Sequence, residues 1–513
     1  MRDAAPWQKR YDMMGISAIL FGLIGQYLLV GRAPGISIPL FVIVFYGLFF
    51  YAVKGRIGGF DRWKGQSKTG WLLLGPIGMI SLAYAFFDNH IFQFFNLFVL
   101  FGLIVAQTML ITRGGSQPWH RLRFLYEHMK QWMIVPMSHL RVPFEMLGGW
   151  LRIGDNKTRA GAGKVGMGLL IAAPILIVVV LLLASADGIF SSWLNSIPLF
   201  MDEDLFGDVL VRVIFGGFIA LYTFCYIWGL LFRSRNAVHE QKAQASAFPQ
   251  AFASPQGAVL PEVKKSGGLD PVTAATVFIC INVVYVLFAA IQFTYLFGAA
   301  EGILPEGTYY ADYARQGFAE LVAIALLNIG LLIVGLHYIE PSGTGMQRFR
   351  KLLLSLLVGC TVVMLISAYS RLSLYEEAYG YTQLRLLVHG VMILLGVLMA
   401  VALVRIWYQW FSLAKVYVAC MIIAYVIMNY VNLDLRIANN NIERYEETGK
   451  MDFDYLSMLS ADAAPAIFKF RENYPELGRL DEIIEGYNDA AETKRHWQSW
   501  NFSLQRLRGE GGN

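Results

Sequence analysis

Long apolar runs constrain this chain more than any other feature of its sequence. A helix needs about 20 apolar residues to cross a bilayer, and eleven segments approach that length. The predicted spans are approximately residues 13–30, 36–53, 70–86, 92–112, 165–184, 209–232, 272–297, 317–339, 352–369, 384–404 and 416–432. Charged residues make up only 15% of the 513 residues, against about 25% in ordinary soluble domains. The sequence therefore predicts an all-α, polytopic helical membrane protein and excludes soluble, disordered and disulfide-rich secreted classes.

The positive charges of the connecting segments predict how the helices are oriented. The N-terminus and the segments 54–69, 113–164, 233–271, 340–351 and 405–415 carry 27 Lys and Arg residues in total. The alternating segments 31–35, 87–91, 185–208, 298–316 and 370–383 carry only 3. Since cytoplasmic loops are enriched in Lys and Arg, this split predicts a cytoplasmic N-terminus and an extracytoplasmic C-terminus in the bacterial cytoplasmic membrane.

The predicted spans and their connecting segments divide the chain into six parts. These are membrane helices 1–4 (1–112), a cytoplasmic basic amphipathic segment (113–164), membrane helices 5–6 (165–232), a disordered cytoplasmic linker (233–271), a membrane core of helices 7–11 (272–432) and a small helical extracytoplasmic tail (433–513). The amphipathic segment is predicted to lie on the anionic leaflet and to break at Pro136 and Pro143. We find no reliable internal repeat.

Motifs for cofactor, metal or nucleic-acid chemistry are missing from the sequence. No P-loop, dinucleotide-binding glycine pattern, nucleophile elbow or zinc-protease motif stands in a suitable context. The four cysteines all lie inside apolar runs, which is typical of small buried side chains. A net charge of +5 is too small to indicate nucleic-acid binding. We therefore expect no cofactor, no metal and no nucleic-acid partner.

The first of three polar clusters leads into the eighth predicted helix. Asp312, Gln316 and Glu320 recur every four residues, which places them on one helix face, and Arg315 is near enough to neutralise Asp312. Glu320 is predicted about one turn inside the hydrocarbon, where ionisable groups usually face a cavity or a partner. A salt-bridged helix entrance explains the cluster equally well.

The second cluster surrounds the predicted turn between helices 9 and 10. Gly380 is expected to end one helix and Thr382 to cap the next. The candidate residues are Arg371, Tyr375, Glu376, Tyr379, Arg385 and His389. Interfacial tyrosines and snorkelling arginines anchor any membrane hairpin, but anchoring alone does not require the acidic residues. We expect Arg371, Glu376 and Arg385 to form an ion-pair network with Glu320, whereas His389 by itself favours a packing role.

The third cluster runs along the last predicted helix into the tail. The polar residues repeat at three- and four-residue steps: Asn429, Asn432, Arg436, Asn439 or Asn440, and Glu443. This spacing predicts one continuous polar stripe on a helix that leaves the membrane without a break.

Four segments of the sequence also carry a family resemblance. They are Asp312–Glu320, Arg371–Arg385, Asn439–Tyr445 and Asp454–Pro465. In this order they resemble a bacterial family of multi-pass membrane proteins known only as a domain of unknown function (the 4153/4173 group). The likeness covers about residues 160–470, and it implies an integral membrane protein of a bacterial envelope.

The sequence leaves three functions open. The leading one is a non-enzymatic envelope protein that sits in the lipid bilayer and binds a lipid, a glycan or a membrane partner protein for sensing or assembly. A membrane glycosyltransferase acting on a lipid-linked substrate is the first alternative, although residues 31–35 lack the acidic residue that such enzymes place in their first outer loop. The second is a transporter, with Glu320, Asn328, Arg385 and His389 along a path; inverted repeats are not evident.

If the three clusters bind one ligand, they must lie close together in the folded protein. Arg315, Glu320, Arg385 and Arg436 are then expected around one outward-opening cleft, because arginine side chains bind phosphate and tyrosines stack on sugars. Separate lipid-facing positions would instead favour anchoring.

Overall fold

The computed structural model is helical throughout the residues it describes. These are 11–57, 68–113, 119–120, 122–150, 203–232, 270–298, 318–337, 339 and 343–510, with single positions at 168, 172 and 183. The chain divides into two compact units. Unit 1 comprises Met1–Gln250 with Ala490–Arg506, and unit 2 comprises Ala251–Asp489 with Leu507–Asn513.

Nine helices in the described part of the chain are long and apolar enough to cross a membrane, and the shorter apolar helix Met13–Leu29 adds a tenth candidate. These ten coincide with ten of the eleven predicted spans, since their positions follow directly from local apolarity. The remaining predicted span, 165–184, falls almost entirely outside the described residues, as does nearly all of the predicted linker 233–271. The third span is split by a turn at Leu73.

Unit 1 contains eight helices before its C-terminal segment. They are α1 (Tyr11–Leu29), α2 (Ser37–Ile57), α3 (Lys68–Leu72), α4 (Leu74–Phe86), α5 (His90–Arg113), α6 (Leu122–Ser138), α7 (Arg141–Trp150) and α8 (Glu203–Leu231). Large buried side chains such as Phe21, Phe49 and Met109 form the core among them. Its aromatic rings pack in series, with Phe45 and Phe49 stacked at a centroid distance of 6.3 Å.

Helices α1 and α8 approach each other through small residues. A Cβ added to Gly22 would overlap the carbonyl oxygen of Gly216 and lie 2.8 Å from the Cβ of Ala220. Small residues at such crossings let helix backbones come together in a membrane, where dispersion contacts replace the hydrophobic effect as the driving force. The α1–α8 contact therefore depends on the absence of a side chain at Gly22.

The amphipathic segment forms two helices that pack against the apolar helices of unit 1. The hydroxyl of Tyr222 donates to the carbonyl oxygen of Trp132 at 2.9 Å, and the His128 ring bonds the carbonyl oxygen of Gly102 at 2.9 Å. The predicted breaks at Pro136 and Pro143 are wrong, because both prolines lie within helices and the chain turns between Ser138 and Arg141.

The C-terminal segment of unit 1 is fastened to two of its loops. The Nζ atom of Lys494 lies 2.8 and 2.9 Å from the two carboxylate oxygens of Asp88, which also accepts a hydrogen bond from the Asn501 amide at 3.1 Å. The Ile36 N–H donates to the carbonyl oxygen of Trp500 at 2.9 Å. Residues 490–506 therefore lie on the same side of unit 1 as the loops that follow α1 and α4.

Unit 2 begins with five long helices and continues into short ones. They are α9 (Pro271–Gly298), α10 (Phe318–His337), α11 (Thr344–Tyr379), α12 (Gln383–Trp407), α13 (Leu413–Tyr430), α14 (Leu433–Thr448), α15 (Phe453–Ser457) and α16 (Ala464–Asn473). Two last helices, α17 (Arg479–Thr493) and α18 (Phe502–Glu510), contain residues of both units. The core of unit 2 lies among α9–α13 and includes Leu357, Met399 and Tyr417.

Buried amides join the first helices of unit 2. Asn328 is fully buried and donates to the Thr361 hydroxyl at 2.8 Å while accepting from the Tyr285 hydroxyl at 2.9 Å. The Asn282 amide donates to the carbonyl oxygen of Leu353 at 3.0 Å. Polar groups of this kind hold membrane helices together because the surrounding lipid gives them no alternative partner.

Candidate functional site

The turn between α11 and α12 organises the candidate site. α11 ends at Tyr379, and the following Gly380 has a positive φ of 87°, a conformation that glycine adopts without strain. Gly380 and Thr382 occupy the cap positions predicted from the sequence. Thr382 makes no side-chain capping bond, however. The first N–H of α12, on Gln383, donates instead to the hydroxyl of Tyr455 at 2.7 Å.

A carboxyl group is buried just before this turn. The Glu376 side chain is 2% exposed, and its Oε2 atom lies 3.5 Å from Nδ1 of His389 on α12. The His389 ring in turn stacks on Tyr369 at a centroid distance of 4.3 Å. The second carboxylate oxygen, Oε1, has no hydrogen-bond partner among the residues that the structure describes. A buried acceptor without a donor is costly, so this oxygen is an unsatisfied group in the structure as it stands.

An arginine and two tyrosines lie beside the buried carboxyl group. The Arg385 guanidinium stacks over the Tyr375 ring at 4.3 Å and donates to the carbonyl oxygen of Gly380. Tyr375 and Tyr379 pack with ring centroids 4.8 Å apart. Arginine over an aromatic face is held in place by a cation–π attraction while its remaining N–H groups stay available. The arrangement therefore presents oriented donors next to an acceptor.

The tail is bound to the turn by a second polar network that the sequence analysis missed. The Asp434 carboxylate, fully buried on α14, accepts from the Gln383 amide and from the hydroxyl and the N–H of Ser460. The Asn441 amide exchanges two hydrogen bonds of 2.8 and 2.9 Å with the backbone of Tyr381. These contacts hold α14 and the segment after α15 directly on the turn.

Arg444 completes the attachment of the tail. Its guanidinium donates to the carbonyl oxygens of Glu377 and Ala378 at 2.8 and 2.7 Å, which are among the last carbonyls of α11 left without intrahelical partners. The spacing of Asp434, Asn441 and Arg444 at seven and three residues places them along one face of α14. This spacing is visible in the sequence, but the polar residues of a solvent-exposed helix face have the same spacing.

The half-buried Tyr455 and the buried Tyr487 line the tail side of this network. Burial raises the pKa of Tyr455, while the hydrogen bond from the Gln383 N–H opposes the rise. Burial also raises the pKa of Tyr487, with the nearby carboxylates Asp434 and Asp462 acting in the same direction. Both phenols are therefore neutral at physiological pH.

The structure brings together only part of the predicted set. Arg371, Tyr375, Glu376, Arg385 and His389 lie along the ends of α11 and α12 beside the turn, and Arg371 is half-buried. Glu376 pairs with His389, a partner that we did not expect. Glu320 is exposed on α10 and forms no ion pair with Arg371 or Arg385.

The remaining candidates are scattered or fall outside the described residues. Asp312 and Arg315 belong to the latter. Arg436 is exposed, and Asn440 is half-buried on α14. Asn432 corrects a prediction: it has a left-handed backbone (φ 50°) and caps α14 by accepting from the Leu435 N–H. The last membrane helix therefore ends at Tyr430, and the continuous polar stripe is wrong.

Metal chemistry finds no support in the described ranges, where no group of three or more His, Cys, Asp or Glu side chains is placed to hold an ion. The cluster can form hydrogen bonds and ion pairs with a polar ligand. Glu376 offers a hydrogen-bond acceptor and Arg385 offers donors. The ring of His389, next to Glu376, can bind or release a proton.

Comparison with known proteins gives one match. A family model described as "Domain of unknown function (DUF4153)" matches residues 74–470. The match starts well before residue 160, where the likeness was predicted to begin, and it includes the turn, the buried carboxyl group and most of the docked tail. No curated protein and no solved structure matches the chain.

Proposed function

This chain belongs to the DUF4153 family of domains of unknown function, and from that premise we propose that it is a cell-envelope membrane protein that binds a polar ligand at the end of α11 and α12. The ligand is the headgroup of a lipid or a glycan, or a polar group of a membrane partner protein. Sensing or assembly, rather than catalysis, is the role of this binding.

The buried carboxyl group of Glu376 carries the proposal. Ionisable side chains inside membrane proteins are expensive to bury, so they usually pair fully or belong to functional sites. Glu376 is only half paired: Oε2 faces His389, while Oε1 meets no donor among the described residues. A hydroxyl of a sugar or of glycerol supplies the missing donor.

The neighbouring cations define the rest of the ligand. Arg385 is held over Tyr375 and keeps N–H groups beyond the one that it gives to Gly380. Arginine binds phosphate through two parallel hydrogen bonds, and Arg371 is half-buried on the preceding helix. An anionic headgroup that also bears hydroxyls therefore suits both halves of the site.

A comparison of neighbouring glutamates tests this proposal. Glu376→Gln changes the buried carboxyl group, whereas Glu377→Gln makes the same change at an exposed position. Each purified protein is extracted, and its retained lipids and glycans are quantified by mass spectrometry. We expect a species retained by the wild type and by Glu377→Gln to fall several-fold in Glu376→Gln and in Arg385→Gln. Identical profiles from proteins of equal thermal stability contradict the proposal.

The topology is also part of the proposal: eleven spans, N-terminus inside and tail outside the cytoplasm. The Lys and Arg split supports it, and so do the contacts of the tail. Residues 490–506 bind the loops after α1 and α4, and α14 binds the α11–α12 turn. All three connections belong to the side predicted to be extracytoplasmic.

Cysteine labelling tests the topology. In a protein without its four native cysteines, Ser457→Cys places an exposed thiol on the tail, and Gly345→Cys places one on the opposite side in open space. An impermeant thiol reagent added to intact spheroplasts is expected to label only the first. Labelling of the second, or of the first only after lysis, refutes the orientation.

The transporter alternative loses support from two of its predicted path residues. Asn328 is fully engaged by Tyr285 and Thr361, and Glu320 faces outward on α10. The binding role therefore fits the described residues best.

A further inference from the structure

Unit 1 contains a large apolar groove that the polar cluster does not involve. Its volume is 970 Å³, and it lies between α1, α8 and the α6–α7 pair. Ligand pockets in proteins commonly measure about 300–1,000 Å³. The side chains that line it include Ile19, Leu23, Met137, Leu140, Phe144 and Val213. A groove of this size and composition accommodates a hydrocarbon chain.

One end of the groove is charged. Arg212 is the single charged side chain among the described lining residues. It lies one turn inside the apolar span that starts at Asp208, about 6 Å along the helix. Its Nε donates to Asp208 at 2.7 Å. A terminal guanidinium nitrogen reaches the α1–α2 loop, 3.7 Å from where a Cβ of Gly31 would stand. The other N–H groups of Arg212 have no partner within the described residues.

A polar side chain follows one turn further in. Gln26 lies against Gly216, four residues after Arg212, and its Oε1 atom is buried without a hydrogen-bond partner in the described part of the chain. The remaining polar lining group, the Tyr222 hydroxyl, is occupied by the carbonyl oxygen of Trp132. The groove thus offers a cation at its end, an amide next to it and only apolar surface beyond.

A positive charge followed by an amide and then by an apolar surface matches the order of the parts of a phospholipid. We propose that the groove binds an anionic glycerophospholipid, with its phosphate on Arg212, its ester carbonyl groups on the Gln26 amide and an acyl chain along α1 and α8. Phosphate accepts hydrogen bonds from guanidinium groups, an ester carbonyl oxygen accepts from an amide N–H, and the exposed side chains Leu23 and Val213 contact the chain. A lipid that merely fills the groove has no reason to prefer an anionic headgroup.

Binding of two lipids with the same acyl chains tests this inference. The full-length protein is titrated with phosphatidylglycerol or phosphatidylcholine in detergent and examined by native mass spectrometry. The wild type is expected to bind phosphatidylglycerol about tenfold more tightly, which corresponds to about 1.4 kcal/mol. Equal binding of the two lipids by the wild type refutes the inference without any variant.

Matched variants locate the site. Both variants are made in Arg385→Gln protein, so that the site at the end of α11 and α12 does not contribute. In that background Arg212→Gln is expected to remove the headgroup preference, whereas Arg495→Gln removes an exposed positive charge and leaves it unchanged. Gly217 lines the groove and has nothing within 4 Å of an added Cβ. Gly217→Phe therefore fills the groove and is expected to weaken both lipids, while Gly47→Phe, at an equally open position on α2, does not. A preference that survives Arg212→Gln places the lipid elsewhere.

Discussion

Removing the Asp434 carboxylate is expected to release the tail from the α11–α12 turn. The side chain is fully buried and accepts from the Gln383 amide and from two donors of Ser460. Hydrogen bonds to a charged group contribute about 1.5–3 kcal/mol each, and breaking one side of a buried charged network costs about 3–5 kcal/mol. Asp434→Ala leaves all three donors without their acceptor, the two of Ser460 in a buried position, so we expect a loss of about 3–5 kcal/mol in the docking of α14–α16.

Hydrogen–deuterium exchange measures this loss where it occurs. Since 1.4 kcal/mol corresponds to a factor of ten, exchange in peptides from 433–473 should rise by roughly 100- to 4,000-fold and remain unchanged in α12 beyond its first turns. Asp454→Ala is the matched control, because that carboxylate is 80% exposed and pairs only with exposed Arg479. It should change exchange less than about fivefold, since surface ion pairs contribute about 0–1 kcal/mol.

A double-mutant cycle separates the network from general damage to the helix. Ser460→Ala removes only the hydroxyl donor, so Asp434→Ala combined with Ser460→Ala should cost less than the sum of the two single changes, by about 1–2 kcal/mol. Strict additivity, or an Asp434→Ala variant that exchanges no faster than Asp454→Ala, would refute the docking network as the element that holds the tail.

Three further predictions concern contacts inside unit 1 and inside unit 2. Gly22→Ala should lower the stability of unit 1 by about 1–3 kcal/mol, because α1 and α8 must separate to make room for the added methyl group. Gly102→Ala, whose methyl group meets open space, should leave the stability unchanged. Thermal unfolding of the two variants in detergent measures the difference. Lys494→Met should expose the C-terminal segment to protease, since Asp88 is buried beneath it, and the double change with Asp88→Asn should restore part of the protection. Arg444→Met should speed amide exchange at the end of α11 by about tenfold; unchanged exchange would contradict its role there.

The positions of the membrane helices were predictable because they depend on properties that each segment carries by itself. A run of about 20 apolar residues must satisfy its own backbone hydrogen bonds in lipid, and only a helix does so locally. The helix that ends at Gly380 and the one that starts after Thr382 were predicted from the same kind of local signal. The clustering of Glu376, Arg385 and His389 near one turn also follows from their short separation along the chain.

What packs against that turn was decided by tertiary structure. Asp434 meets Gln383 across 51 residues and Lys494 meets Asp88 across 406, and no periodicity distinguishes such partners from residues on a solvated face. Asn432 breaks the last helix where its pattern predicted continuity, because its side chain caps α14. Apolar length fixes where a segment lies in the membrane, whereas the identity of each buried polar partner depends on which distant segment the packed helices bring within hydrogen-bonding distance.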